Sequence, residues 1–190
     1  MSESLFSLPP SRHRIIFLAL LADTLLLSLI MGWAGQPLAT PAAPNGIVSF
    51  ELAGSAAASQ AILDSWDARS QVHAAFIQGL DFLYLLVYAA TFSLAGLYAA
   101  QVLQRLGWPL ARLGKPLVIG FGFAAFFDLI ENIALLVILF DAARSPWPEI
   151  AAVFAWLKFG LLFLGLVYIF YGAALFLADR LLPPARKPAE

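Results

Sequence analysis

Residues 117–140 read LVIGFGFAAFFDLIENIALLVILF, an apolar stretch that carries three strongly polar side chains, those of Asp128, Glu131 and Asn132. An α-helix rises about 1.5 Å per residue, so about 20 apolar residues cross the hydrocarbon layer of a bilayer. The stretch is therefore long enough to span a membrane. Comparable apolar stretches occupy residues 15–34, 74–101 and 150–178. Together the four predict four transmembrane helices.

The composition agrees with a membrane environment. Hydrophobic residues make up 62% of the 190 residues and charged residues 12%. In a soluble domain, apolar residues make up about 45–50% and charged residues about 25%. We therefore expect an all-α polytopic membrane protein folded as a four-helix bundle. The formal net charge of −1 offers no basic field for nucleic acid, which we exclude as a partner.

The chain contains no cysteine, which excludes disulfides, thiolate metal sites and a cysteine nucleophile. No carboxylate or histidine spacing matches a known metal-ligand pattern, so we predict neither a metal nor a cofactor.

We expect one domain over residues 1–182 and a flexible tail over residues 183–190, because Pro183 and Pro184 end the last helix. The first loop contains a predicted amphipathic helix over residues 55–66, with Ser55 as N-cap. Its apolar face comprises Ala58, Ile62, Leu63 and Trp66, and its polar face Ser59, Gln60 and Asp64. This helix is either an interfacial anchor or a lid over the mouth of the bundle.

Basic residues are distributed unevenly between the two sides of the predicted bundle. The side with both termini carries Arg12, Arg14, Arg105, Arg112, Lys115, Arg180, Arg186 and Lys187. The opposite side carries Arg69 and Arg144. Because basic residues near helix ends are retained in the cytoplasm, we predict a protein of the cell inner membrane with both termini cytoplasmic.

Ionisable side chains lie inside all four predicted spans. They are Asp23, Asp81, Asp128, Glu131 and Lys158. Inserting such a side chain at the centre of a membrane helix costs a free energy of about 2.5–3.5 kcal/mol. Such residues therefore normally face the bundle interior. Counted from the outer helix ends, all five lie about 10–18 Å deep. We therefore predict that they meet in one layer.

Helical spacing groups the same residues by face. Asp128, Glu131 and Asn132 stand at i, i+3 and i+4, on one face of the third helix. A polar stripe on the second helix comprises Gln78, Asp81, Tyr84, Tyr88 and Thr91. On the fourth helix Lys158 precedes Gly165 and Gly172 at intervals of seven, and such small residues permit close helix packing. The predicted site comprises Asp23, Asp81, Tyr84, Tyr88, Asp128, Glu131, Asn132 and Lys158, with Glu51 of the loop above them.

The intramembrane acids outnumber the bases, and uncompensated charge is costly in this medium. Protons, a bound cation, a cationic ligand or a hydrated cavity would balance them. The alternative is structural: the polar residues fix helix register, with Lys158 paired to Glu131 or Asp81.

The segments VSFELA (48–53), LDFL (80–83) and DLIEN (128–132) resemble those of a family of small four-span bacterial integral membrane proteins. That resemblance implies no established activity. A looser similarity is to the EXPERA group of sterol isomerases and the sigma-2 receptor, also four-helix membrane bundles. It implies that Asp23 and Asp81 match the acids that contact sterols or amines there, although Lys158 and the Asp128–Asn132 segment have no counterpart in that pattern.

From these residues we predict an acidic intramembrane pocket that binds a small amphipathic or cationic ligand, with lipids among the candidates. One alternative is a non-catalytic accessory or assembly subunit, which would contact partner membrane subunits or a second copy of itself. Others are an isomerase-like enzyme and a proton or cation pathway. The sequence favours a non-catalytic protein and identifies no catalytic residue.

Overall fold

The computed structural model describes residues 10–141 and 143–181. Within these ranges the chain is all-α, and the predicted bundle of four membrane-length helices is confirmed. The long helices are α1 (Pro10–Ala34), α4 (Ala68–Arg105), α5 (Gly114–Phe140) and α6 (Trp147–Leu181). Two short helices, α2 (Ile47–Glu51) and α3 (Ala56–Ser65), lie between α1 and α4. The predicted tail over residues 183–190 lies outside the described residues.

The long helices extend beyond the apolar stretches that predicted them. The Asp67 side chain accepts a hydrogen bond of 2.7 Å from the backbone N–H of Ser70 and so caps α4 well before residue 74. Hydropathy marks the part of a helix that crosses the bilayer, whereas caps and turn residues determine where the helix ends.

The two ends of the bundle differ in their connections. We call the end with Pro10, Leu181 and the link over residues 106–113 the terminal face. That link contains a 3-10 turn, Pro109–Leu113. The opposite end, the loop face, carries residues 35–67 and the link between α5 and α6.

Helix α5 is the most buried of the four spans, and α1 is the least. Helix α5 packs between α4 and α6, which also contact each other, whereas α1 packs against α4. Large apolar side chains such as Leu29, Phe163 and Phe170 are exposed on the outer surface. This arrangement suits a lipid environment, in which the exterior of the bundle is as apolar as its core.

Glycines on α6 permit the close approach that their spacing predicted. A Cβ atom at Gly172 would lie 2.5 Å from the Cβ and 2.8 Å from the Cα of Ala99 on α4. A Cβ atom at Gly165 would meet the Phe121 ring of α5 at 2.2 Å. These glycines therefore set the distance between α6 and its neighbours.

The segment over residues 35–67, here called the loop cap, packs onto the loop face. The indole of Trp66 donates a hydrogen bond of 2.9 Å to the carbonyl of Leu38 and packs edge-on against Phe50 at 5.2 Å between ring centroids. Ile62 and Leu63 of α3 join the same apolar core as Ala151 of α6. Of the two sequence-based alternatives, the packing corresponds to a helix folded over the mouth of the bundle.

Several details of the loop cap differ from the predictions. Ser55 caps α3 as predicted, by accepting a hydrogen bond from the N–H of Ala58. Ser59, placed on the polar face by its spacing, is fully buried, because a helix that folds over a bundle is covered on more than one stripe. The short helix α2 and the 3-10 turn Gln36–Leu38 were not predicted.

We predict that Gly172→Ala lowers the free energy of unfolding by about 1–3 kcal/mol, because its methyl group overpacks the α4–α6 contact. The matched control is Gly160→Ala on the same helix, where a Cβ atom meets nothing within 4 Å. That control should be neutral or stabilising by up to about 1 kcal/mol. Unfolding in detergent measures both changes, and equal effects would contradict the close packing.

Candidate functional site

The ammonium group of Lys158 lies at the centre of a buried group of carboxylates. Its Nζ atom is 2.8 Å from Glu131 Oε2, 3.1 Å from Asp128 Oδ1 and 3.7 Å from Glu51 Oε2. Glu131 and Asp128 belong to α5, whereas Glu51 ends α2 in the loop cap. An ammonium has three N–H donors, so Lys158 can face all three carboxyl groups and join α6 to α5 and the cap.

A second layer of hydrogen bonds joins this group to α4. The Tyr88 hydroxyl donates to Asp128 Oδ2 at 2.9 Å. Asn132 Nδ2 donates to Asp81 Oδ2 at 2.8 Å, and Gln78 Nε2 donates to Asn132 Oδ1 at 3.3 Å. We call the whole set the acidic cluster: Glu51, Gln78, Asp81, Tyr88, Asp128, Glu131, Asn132 and Lys158.

Helical periodicity explains how the cluster forms. Asp128, Glu131 and Asn132 share one face of α5, which is the central helix and therefore buried on that side. The structure brings these three together with Asp81 and Lys158, as their depth and spacing predicted. All five are at most 6% exposed.

Glu51 is the cluster member supplied from outside the spans. Its side chain is buried, although both neighbouring loop segments are partly exposed. Burial raises the pKa of Glu51 above its usual value of 4.5, the nearby Lys158 ammonium partly offsets this rise, and the Asp128 carboxylate adds to it. The loop cap thus holds an acid whose charged form is disfavoured by its surroundings.

The structure does not bring Asp23 into the cluster, contrary to the prediction. Helix α1 is peripheral, and its buried positions are Thr24, Leu27 and Ala34, so the adjacent Asp23 is turned away and exposed. Residue counting placed Asp23 level with Asp81, but its neighbour Thr24 contacts Thr91, which lies ten residues further along α4, or about 15 Å. Both the depth and the rotation of Asp23 therefore depend on how α1 packs against α4.

Tyr84 also lies outside the acidic cluster. Its hydroxyl shares a hydrogen bond of 2.9 Å with Ser28 of α1, while its ring packs against Tyr88 at 5.3 Å. The hydroxyls of Thr24 and Thr91 share a second bond of 2.8 Å across the same pair of helices. Tyr84 therefore belongs to a polar seam that joins α1 to α4.

Gln78 was recognised as part of the polar stripe but was not assigned to the site. It is 1% exposed and binds Asn132. Its position three residues before Asp81 was the available signal, because i and i+3 residues share a helix face.

The charge of the cluster is unbalanced. Within the described residues, the cluster contains one ammonium, that of Lys158, and four carboxyl groups. Those of Glu51, Asp128 and Glu131 lie within 3.7 Å of the ammonium, and that of Asp81 is joined to them through Asn132. Burying an unpaired charge costs several kcal/mol per ion. Protons or a bound cation must therefore neutralise the surplus of acids.

The contacts inside the cluster are direct. Two cavities, of 530 Å³ and 740 Å³, lie towards the terminal face, and cluster residues do not line them. In the described part of the chain, no group of three or more acidic or histidine side chains is arranged to hold a metal ion.

Comparisons of the chain with family models, with curated proteins and with solved structures find no match. The resemblances to four-span bacterial proteins and to the EXPERA group therefore remain predictions.

We predict that Lys158→Met lowers the free energy of unfolding by about 3–5 kcal/mol, because it leaves several buried carboxyl groups without a cation. Lys115→Met, at an exposed position of the α5 amino end, is the control and should be nearly neutral. Thermal or chemical unfolding in detergent measures both. A loss equal to that of the control would contradict a central role for Lys158.

The pH dependence of stability tests the environment of Glu51. Because its pKa is raised on folding, stability should fall as pH rises from 4.5 through the folded pKa, by at most about 1.4 kcal/mol per pH unit. Asp128, Glu131 and Lys158 face the Glu51 carboxyl group, and their charges also influence how stability depends on pH. Glu51→Gln should flatten the slope, whereas Asp64→Asn, at an exposed site on α3, should preserve it. An unchanged slope in Glu51→Gln would show that Glu51 is solvated.

Proposed function

We propose that this is a ligand-binding integral membrane protein whose acidic cluster accepts a small amphipathic cation beneath the loop cap. The main support for this proposal is that the acidic cluster contains more carboxyl groups than the single ammonium of Lys158 can neutralise. A network that only joined helices would need no more carboxyl groups than ammonium groups, because each extra buried acid adds a desolvation cost.

The position of Glu51 supports access from the loop face. This residue lies on the five-residue helix α2, which is flanked by Gly46 and Gly54, both with positive φ. Displacement of α2 would withdraw one carboxyl group from Lys158 and open the others towards the loop face. An amine entering there would meet carboxylates and, beside them, the apolar core of the cap.

The ligand chemistry follows from the cluster. Lys158 already presents an ammonium to Asp128 and Glu131, so a ligand amine would make the same kind of charge-assisted hydrogen bond. An apolar body would suit the surrounding Leu135, Ile138 and Phe50. This chemistry includes amine-bearing lipids and is consistent with the looser resemblance to sterol- and amine-binding bundles.

A second candidate function is that of an accessory or assembly subunit of a membrane complex. It is favoured by the direct pairing of Lys158 with Asp128 and Glu131, since a network that is already paired can serve packing alone. The two candidates differ in whether the cluster responds to an added amine.

A proton or cation pathway is less well supported. On the terminal side of Thr24 and Thr91, the buried side chains include Ala99 and Leu103 on α4, Phe121 on α5 and Tyr168 on α6. Tyr168 contributes a single hydroxyl, which has no hydrogen-bond partner among the described residues, whereas a relay needs a chain of polar groups. An isomerase-like enzyme would need a substrate between two carboxyl groups, and the cluster residues now contact one another.

For the orientation, we propose that the terminal face is cytoplasmic and that the protein lies in the cell inner membrane. The support is the excess of basic residues at that face, where Arg105, Arg112 and Lys115 lie near the helix ends. The loop cap and its acids would then face the opposite compartment.

Ligand binding is tested by thermal unfolding in detergent with octylamine, compared with octanol as the uncharged probe of equal chain length. We predict that octylamine alone stabilises the protein, by about 2.7 kcal/mol at a hundredfold excess over its Kd. Glu131→Gln should abolish the effect. Asp23→Asn, which changes an exposed acid outside the cluster, should retain it.

Equal responses to octylamine and octanol would favour the accessory-subunit candidate. The same conclusion would follow if Glu131→Gln responded like the wild-type protein, because the amine would then bind elsewhere.

A further inference from the structure

A second feature lies in the half of the bundle near the terminal face, remote from the acidic cluster. A cavity of 530 Å³ is bounded by α1, α4 and α6, and small-molecule sites occupy roughly 300–1,000 Å³. Its apolar lining includes Phe17, Tyr98, Ala99, Gly172, Ala173 and Phe176. The buried pair Ala99 and Gly172 forms its floor, whereas Ala173 and Phe176 are exposed. We call this cavity the terminal groove.

The terminal groove ends at a cationic side chain. Arg105, the last residue of α4, lines it, and its side chain is 55% exposed. Its Nη2 atom donates to Asp179 Oδ2 at 2.5 Å. A guanidinium has five N–H donors, so this bond leaves donors free for a second anionic group.

Other basic residues surround the same end. The Arg180 guanidinium lies 5.2 Å from the ring centroid of Phe176, a lining residue. Arg14 precedes Phe17 by three positions and so lies near the same face of α1, one turn closer to the terminal face. Three arginines and one acid, Asp179, therefore lie near this end of the terminal groove.

The length of the terminal groove matches one leaflet of a membrane. Its lining on α4 runs from Ala95 to Arg105, about 15 Å along the helix axis. The hydrocarbon core of a bilayer is about 30 Å thick, so one leaflet contributes about half of that. The groove is thus apolar over the depth of the acyl chains and cationic where headgroups begin.

We propose that the terminal groove holds an acyl chain of an anionic phospholipid whose phosphate binds Arg105. Basic sites between transmembrane helices are suited to anionic lipid headgroups. A partner helix fits less well, because a transmembrane helix would need an apolar contact along the whole bilayer rather than one that stops at arginines. The proposal is independent of the function assigned to the acidic cluster.

The test is native mass spectrometry of the full chain released from nanodiscs that contain equal amounts of phosphatidylglycerol and phosphatidylcholine with identical chains. The wild-type protein should retain the anionic lipid with about fivefold preference, the effect expected of one arginine near the headgroup. Arg105→Gln should bring the preference close to one, whereas Asp179→Asn should increase it by removing the competing acid.

Two further variants separate the groove from general surface charge. Arg112→Gln removes a basic residue of the same face that does not line the terminal groove and should leave the preference unchanged. Ala173→Trp should fill the groove and abolish retention of both lipids.

Wild-type retention without headgroup preference would overturn the proposal, as would undiminished retention by Ala173→Trp. So would a dimer that Ala173→Trp dissociates, because a second copy of the chain would then cover the groove.

Discussion

The contact between the Lys158 ammonium and the carboxyl groups of Asp128, Glu131 and Glu51 organises the loop-face half of the molecule. Buried ion pairs add little net stability compared with apolar packing of the same volume. Their effect here is on geometry, because they fix the rotation of α6 against α5 and attach the loop cap to both. The same contact defines the chemistry of the site, since the surrounding acids exceed what one ammonium can neutralise.

The helices pack through different kinds of side chain in the two halves of the bundle. Near the loop face, polar side chains from α4, α5 and α6 meet inside a core that the cap closes. Near the terminal face, small residues such as Gly172 bring α6 close to α4, and the surface retains an apolar groove. The bundle thus has an acidic, covered interior at one end and an apolar groove that ends at Arg105 at the other.

Much of this arrangement was predictable from sequence, for identifiable reasons. Apolar length predicted the four spans, and the cost of burying charge predicted that Asp81, Asp128, Glu131 and Lys158 face inward. Helix rotation and loop folding were not predictable in the same way. Asp23 is exposed and lies nearer the terminal face than predicted, because α1 packs through Thr24, which contacts Thr91 rather than the level of Asp81. Glu51 reached the cluster through the unpredicted helix α2, because tertiary packing over the bundle determines its position.

The loop cap places Glu51 3.7 Å from the ammonium of Lys158, and the site depends on this contact. A double-mutant cycle of Glu51→Gln and Lys158→Met, with free energies of unfolding in detergent, tests it most directly. If the two side chains interact, the coupling energy should be at least about 1 kcal/mol, as found for residues in one ionic network. Effects that add to within about 0.5 kcal/mol, as for distant independent sites, would contradict it.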